Sequence, residues 1–149
     1  MRLALTALAA SLLIATPALA DEGYVDVHTG LGWTNGLPSK ATVGGSLGYD
    51  KSVGPAFIGI EQSADKVLAS GSKVRWGTSG RIGTHITPAT KIYATAGYNY
   101  GVGPNATDVG GGIEHSFGPM FGRVEYKHYF NEDGAIDSNA ATVGVGIHF

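Results

Sequence analysis

Eight segments of this sequence alternate apolar residues with small or polar ones, and this alternation limits the possible folds more than any other feature. In the last segment, TVGVGIHF over residues 142–149, every second position is apolar: Val143, Val145, Ile147 and Phe149. A period of two residues is typical of a β-strand with two different faces, and no segment shows the 3.6-residue period of an amphipathic helix. The alternating segments are residues 24–33, 41–50, 56–63, 73–86, 91–100, 108–117, 122–130 and 139–149. The sequence therefore predicts an all-β protein with eight strands.

The stretches between these segments, such as TNGLPSK, DKSVGP and NEDGAIDS, are rich in residues that favour turns. Glycine occurs 24 times without the G-X-Y period of collagen, and many of the glycines fall inside the alternating segments. We find no low-complexity tail and no sign of a second domain, so we expect a single β-domain.

The first twenty residues, MRLALTALAASLLIATPALA, have the organisation of a secretory signal peptide. Arg2 precedes an apolar run over residues 3–15, and Ala18 and Ala20 form a small-x-small cleavage motif directly before Asp21. A membrane anchor is the weaker alternative, because the apolar run is shorter than the roughly 20 residues of a spanning helix. We therefore expect a signal peptide over residues 1–20 and the β-domain over residues 21–149.

The charge and the motifs of the remaining sequence exclude several classes of function. Removing Arg2 with the signal peptide leaves nine Lys and Arg against twelve Asp and Glu, and no run of charge suggests a nucleic-acid partner. The chain has no cysteine, so an exported protein of this kind is stable without disulfides. No phosphate-binding loop, GxSxG or HExxH motif is present, and His28 and His85 lack the spacing of a metal site. We predict no cofactor and no metal.

Each alternating segment has one apolar and one mixed face. The apolar face includes Val27, Ile60, Ile82, Val124 and Val145, whereas the other face carries glycines and charged residues. A soluble barrel would place the apolar face inside, and an outer-membrane barrel would place it outside, against lipid. The charged residues of the second face that we expect to form an internal network are Asp26, Glu61, Arg75, Arg81, Glu114, Arg123, Glu125 and Lys127.

The positions of the large aromatic residues favour the membrane alternative. If the strands run up and down, one group falls near the outer ends: Trp33, Trp76, Tyr98, Tyr100 and Phe130. A second group falls near the inner ends: Tyr49, Phe117 and Phe149. Two aromatic belts around an aliphatic band match a lipid bilayer, whereas a soluble core has no reason to sort aromatic rings by height. The predicted fold is an eight-stranded antiparallel up-and-down transmembrane β-barrel.

The terminal pattern V-x-V-x-I-x-F, formed by Val143, Val145, Ile147 and Phe149, resembles the C-terminal signature of bacterial outer-membrane β-barrel proteins. In that family the signature is recognised by the barrel-assembly machinery. The whole pattern over residues 21–149 is similar to the small eight-stranded barrels of the OmpA/OmpX and opacity-protein type. The resemblance implies the outer membrane of a Gram-negative bacterium, with outer-membrane lipid, lipopolysaccharide and the assembly machinery as partners.

An eight-stranded barrel is just wide enough to be filled by side chains, so we expect no large pore. Glycines at inward positions, among them Gly48, Gly112 and Gly146, leave room for long Arg, Lys, Glu and Tyr side chains or, alternatively, for a wet cavity or narrow pore. The outer loops are short, which disfavours a large binding surface. The expected function is a structural or surface-interaction role with an unknown surface ligand.

One stretch raises the question of catalysis. The segment EYKHYFNEDG, with His128 and Asn131, resembles the His-x-Ser-Asn segment of lipid A deacylase barrels, which are also eight-stranded and end in Phe. The serine position of that pattern is Phe130 here, so the nucleophile–base pair is missing, and no spacing connects Ser138 with His128. We therefore predict no enzymatic activity. A lipid A-modifying hydrolase and a soluble exported β-barrel that binds a small ligand are the alternatives.

Overall fold

The computed structural model describes residues 21–149, which form eight antiparallel β-strands closed into one barrel. The strands are β1 (Glu22–Thr34), β2 (Lys40–Val53), β3 (Ala56–Val67), β4 (Arg75–Thr87), β5 (Thr90–Tyr100), β6 (Ala106–Phe117), β7 (Met120–Asn131) and β8 (Ser138–His148). Among these residues no helix has the length and apolar character needed to cross a membrane. The predicted signal peptide, with Ala18 and Ala20, lies outside the described residues, and Asp21 is exposed at the start of the barrel.

The barrel closes because β8 pairs with β1 along its whole length, from Tyr24 opposite His148 to Thr34 opposite Ser138. The pairing continues beyond the end of β8, since the amide of Phe149 donates to the Gly23 carbonyl at 2.8 Å. The Gly23 amide donates in return to the Phe149 carbonyl at 3.0 Å. Every strand therefore has two hydrogen-bonded neighbours, and no sheet edge is left exposed.

The two ends of the barrel differ in their connections. At one end, which we call the turn end, two-residue turns join the strands, and the described residues 21–149 begin and finish there as well. At the other, the loop end, the connections are longer and cover residues 35–39, 68–74, 101–105 and 132–137. Gly54 and Gly118 begin two of the short turns with φ angles of 64° and 68°, a left-handed conformation that favours glycine.

The apolar face of every strand points outward and is exposed along the barrel wall, as the alternation predicted. Ile60 is 68% exposed, Val27 63% and Ile82 60%, values that leave these side chains without protein neighbours on the outside. The inward positions carry the charged residues, most of them buried. Since period-2 alternation fixes which residues share a face, the register of each strand follows from its sequence.

Several strand ends lie outside the predicted segments. β3 continues to Val67, although residues 64–67 were expected to be loop, because Asp65 still faces the interior and pairs in register with Arg75. β4 begins at Arg75, so Lys73, expected on a strand, belongs to the preceding loop. The polar end of β3 has no apolar alternation, which explains why the pattern missed it, whereas the alternation of Val74 and Trp76 extended the prediction for β4 into the loop.

Inward glycines make room for aromatic rings in the narrow interior. A Cβ atom added at Gly112 would lie 2.6 Å from the Tyr93 hydroxyl, and one added at Gly48 would overlap the Tyr24 ring. Tyr24, Phe57, Tyr93 and Phe121 are all buried inside the barrel. The inward glycines therefore leave space for these rings, and the rings fill that space.

Candidate functional site

The charged interior begins at the turn end with a cluster around Lys91. Its Nζ lies 2.8 Å from Glu22, 2.9 Å from Glu114 and 3.4 Å from Asp50. His148 contacts the same cluster, with Nδ1 3.2 Å from Glu22 and Nε2 3.1 Å from Glu114. Residues of five strands therefore meet at this end, and the cluster connects the last strand with the first.

Arg81 continues the network toward the middle of the barrel. Its guanidinium lies 3.3 Å from both Asp50 and Glu114, and Nη1 donates to the Tyr24 hydroxyl at 2.7 Å. The guanidinium carbon lies 4.1 Å from the centre of the Tyr93 ring, a cation–π distance. Charge pairing and ring contacts together compensate the burial of this arginine, which is 3% exposed.

Arg123 is the second central cation. Nη1 lies 2.7 Å from Glu61, and Nη2 lies 3.0 Å from Asp26 and donates to the Ser46 hydroxyl at 2.7 Å. Glu61 also accepts a hydrogen bond from the Tyr24 hydroxyl at 2.7 Å, which joins the two arginine sites. Since Arg123 comes from β7 and its partners from β1, β2 and β3, the network crosses the barrel lumen.

Toward the loop end, Lys127 lies 3.3 Å from Glu125 and 3.8 Å from Glu61. At the same level His28 bridges two carboxylates, 2.9 Å from Asp26 and 2.7 Å from Asp65. His28 and Lys127 both line a cavity of about 20 Å³, which is room for about one water molecule. Below this level, side chains fill the barrel axis.

The structure brings together seven of the eight residues expected in the interior network. They are Asp26, Glu61, Arg81, Glu114, Arg123, Glu125 and Lys127. Arg75 differs, because in the described part of the chain it forms no ion pair. It lies near the loop end, where Nη2 donates to the Pro104 carbonyl at 3.2 Å and the guanidinium lies 5.6 Å from the Tyr129 ring centre.

Sequence reasoning missed several members of the network. Lys91 and Asp50 lie in the turn-end cluster, and Asp108 is buried beside Asn99, whose amide donates to it at 2.6 Å. All three were assigned to segment ends, where Asp and Lys are equally typical of turns. Lys91, Asp50 and Asp108 each lie two residues from an inward-facing residue, which is Tyr93, Gly48 and Gly110 respectively. Because residues two apart in a strand share a face, this spacing is the signal that identifies them as inward-facing.

The loop end opens into a cavity of about 670 Å³, which we call the vestibule. All four loops contribute to its wall, and the inward side chains at the ends of the strands form its floor. Arg75, Asn99, Tyr129 and Asn131 are among these floor residues. A cavity of this size is in the range of small-molecule sites.

The region around His128 does not hold a nucleophile–base pair. His128 Nδ1 lies 2.8 Å from Asn139 Oδ1, and Nε2 lies 3.8 Å from Asp137. The Phe130 ring lies edge-on to the imidazole at 4.6 Å, where the deacylase pattern requires a serine. Ser138 accepts a hydrogen bond from the Asn131 side chain at 3.2 Å and faces the interior. Within residues 21–149, no group of three or more His, Cys, Asp or Glu could hold a metal ion.

Aromatic side chains mark both ends of the outer wall. Near the loop end, Trp33 and Tyr126 have ring centroids 6.2 Å apart, and Tyr98 and Tyr100 stack at 6.5 Å. Near the turn end, Gly23 pairs with Tyr49 on one side and with Phe149 on the other. The wall between these levels is aliphatic, the arrangement of a barrel that spans a bilayer.

No protein-family model matches this sequence, and a search of curated proteins finds no match. The structure, in contrast, is similar to solved barrels. The attachment invasion locus protein Ail of Yersinia pestis aligns with a TM-score of 0.66 and 10% identity, over 87% of this chain and 99% of that chain. The N-terminal β-barrel domain of Pseudomonas aeruginosa OprF aligns with a TM-score of 0.63 and 13% identity, over 85% of this chain and 97% of that chain.

Neisserial surface protein A aligns with a TM-score of 0.58 and 12% identity, over 87% of this chain and 97% of that chain. All three are small outer-membrane barrels, and at these identities the likeness concerns the fold. The predicted eight-stranded antiparallel transmembrane β-barrel is confirmed, and the chain has the fold of the small outer-membrane barrels.

Proposed function

We propose that this chain is a small protein of the Gram-negative outer membrane, with a structural or surface-interaction role and without a large pore. The filled interior is the observation that carries this proposal. Arg81, Arg123 and Glu61 form ion pairs across the lumen, and buried tyrosines pack against them. A solute that passed along the axis would have to break several buried ion pairs, each of which is costly to disrupt.

The outer wall supports the location. Exposed apolar side chains between two aromatic levels match the hydrocarbon core and its interfaces. Short turns at one end and longer loops at the other agree with the usual orientation, with turns in the periplasm and loops outside the cell. Outer-membrane lipid and lipopolysaccharide would then surround the wall, and the assembly machinery would act on the strand that carries Val143, Val145, Ile147 and Phe149.

Fractionation of cells tests the location. We expect the protein in the outer-membrane fraction, with a shift in gel mobility when the sample is boiled, because a closed barrel resists detergent until it is heated. A folded protein found in the soluble periplasmic fraction would contradict the proposal.

Conductance tests the filled interior. The purified protein, inserted in planar lipid bilayers, is expected to produce no stable conductance comparable with that of a porin. A preparation of a known porin in the same bilayers is the positive control. Steady porin-like currents from this chain would contradict the filled interior while leaving the membrane location intact.

A further inference from the structure

The vestibule collects positive charge in a chain that is acidic overall. Its inward-facing and loop residues include the cations Lys40, Lys73 and Arg75 but a single carboxylate, Asp65. That carboxylate is already paired with His28 at 2.7 Å. The formal net charge of the whole sequence is −2, so the accumulation of cations at this cavity is a local feature.

The acidic residues of the last loop are not part of the vestibule lining described for residues 21–149: Glu132, Asp133 and Asp137. Asp137 accepts a hydrogen bond from the Asn131 amide at 3.2 Å and lies 3.8 Å from His128. Cations therefore face the vestibule, and these three carboxylates of residues 132–137 lie outside its lining. This separation favours an anion inside the cavity.

Arg75 is the cation best prepared to bind an anion. Its guanidinium lies over the Tyr129 ring and uses Nη2 for the Pro104 carbonyl, which fixes the plane of the group. Nη2 makes the only hydrogen bond of this guanidinium among the described residues, and no carboxylate pairs with it there. A positioned guanidinium with free donors is suited to carboxylates, sulfates and phosphates.

The vestibule also has an apolar wall, formed by one residue from each of three loops. Leu37 is 62% exposed, Val102 37% and Ile136 64%, and all three line the cavity. Exposed apolar side chains that converge on a cavity are typical of a ligand site. A ligand that contacts both the cations and the apolar wall must carry a negative group and an apolar body.

We propose that the vestibule binds small organic anions with an apolar body, which enter from the external solution. The charged group would contact Arg75 and Lys40, and the apolar part would lie against Leu37 and Ile136. Access from outside follows from geometry, because the floor is filled and Lys40 and Arg75 face the barrel axis and not the surrounding lipid. This inference rests on the proposed function, since it assumes that the loop end faces the exterior.

The test uses the full barrel in nanodiscs of zwitterionic lipid, with naphthalene-2-sulfonate as probe and titration calorimetry as the measurement. We expect saturable one-site binding above the signal of empty nanodiscs. The uncharged analogue naphthalene-2-methanol should bind at least about tenfold more weakly, which corresponds to about 1.4 kcal/mol. Equal affinity for the two compounds, or no saturable binding of the sulfonate, would overturn the proposal.

Variants locate the site. Arg75→Gln should weaken sulfonate binding about tenfold, and Ile136→Ser should weaken it several-fold. Lys51→Gln, an exposed change near the turn end, is the matched control and should leave the affinity unchanged. If Arg75→Gln fails to fold, the loop variant Lys73→Gln replaces it. Unchanged affinity in the Arg75 and Lys73 variants would overturn the site.

The same samples separate this inference from the proposed function. A barrel that fractionates with the outer membrane and shifts on boiling, but does not bind the sulfonate, overturns the ligand site alone. A protein that fails the fractionation test while binding the sulfonate overturns the membrane role, and with it the entry from the external solution, but leaves the anion site itself intact.

Discussion

At the scale of single residues, the stability of the barrel depends on charges that are buried in its interior. Arg123 is 5% exposed and holds Glu61 at 2.7 Å and Asp26 at 3.0 Å. A buried pair contributes little relative to an apolar pair, but the loss of one partner leaves an uncompensated charge. The loss of stability when such a cation is removed therefore depends on the buried carboxylates that lose their partner.

We predict that Arg123→Met lowers the free energy of unfolding by about 3–5 kcal/mol, because Glu61 and Asp26 lose their main cation. Urea unfolding in lipid vesicles, followed by tryptophan fluorescence, measures the change. Lys51→Met at an exposed position is the control, and it should change stability by less than about 0.5 kcal/mol. Equal stability of the two variants would mean that the interior pairs are not coupled to folding.

A second residue-scale prediction concerns the inward glycines. Gly48→Ala places a methyl group inside the volume of the Tyr24 ring, so we expect it to destabilise the barrel by about 1–3 kcal/mol. Gly80→Ala is the matched control, because its added methyl lies 3.9 Å from the nearest atom. Unfolding of both variants under the same conditions compares them. A loss of stability as large in Gly80→Ala would show that strand glycines act through the backbone and not through space for side chains.

At the scale of the strands, the sequence was most informative in their middles. The alternation through Val143, Val145 and Ile147 defines both the strand and its faces, because an error of one residue would invert them. The ends were less predictable, since inward Asp and Lys residues look like turn residues when no apolar neighbour follows. Asp65, expected in a loop, belongs to β3 because its backbone pairs in register with Arg75.

The vestibule was even less accessible to sequence reasoning. Its cations come from β2, β4 and the loop before β4, so no local motif contains them. Leu37 and Ile136 lie in turn-rich segments, where isolated apolar residues have no periodicity that could be interpreted. Only the closure of the barrel brings these residues to one opening.

The outward face of a strand provides the third prediction. Ile60 lies in β3 and is 68% exposed on the outer wall, so Ile60→Arg would place a charge in hydrocarbon. Such a charge costs about 2–4 kcal/mol at the bilayer midplane, and we expect impaired assembly in the outer membrane. The inward substitution Thr142→Ser is the control and should assemble normally. The amount of heat-modifiable protein in the membrane fraction is measured for both.

A result in which Ile60→Arg gives a folded, soluble periplasmic protein would contradict the lipid-facing wall. Assembly of Ile60→Arg at the same level as Thr142→Ser would also contradict the lipid-facing wall, because an outward Arg would then face no hydrocarbon.

At the scale of the whole molecule, closure makes the position of the chain ends arbitrary for the fold. Gly23 and Phe149 form a reciprocal pair of backbone hydrogen bonds, so a linker of about four residues would join them. New ends can then be opened at either of two turns on the same side of the barrel, residues 88–89 or 118–119. Circular permutation of this kind is tolerated when the two residues that the linker joins lie close together.

The last prediction uses two such permutants to separate folding from assembly. One begins at Gly118 and finishes at Phe117, an outward-facing aromatic that is 65% exposed, and the other begins at Pro88 and finishes at Thr87. Both keep every strand pair, so we expect both to fold equally well in detergent. In cells, where the terminal aromatic strand is our proposed assembly signal, the Phe117 permutant should insert and the Thr87 permutant should accumulate outside the membrane. Heat-modifiable protein in the outer-membrane fraction measures insertion. Equal insertion of the two permutants would refute the assembly role of Phe149. If neither permutant folds in detergent, the fold depends on where the chain is opened, and the claim based on barrel closure is wrong.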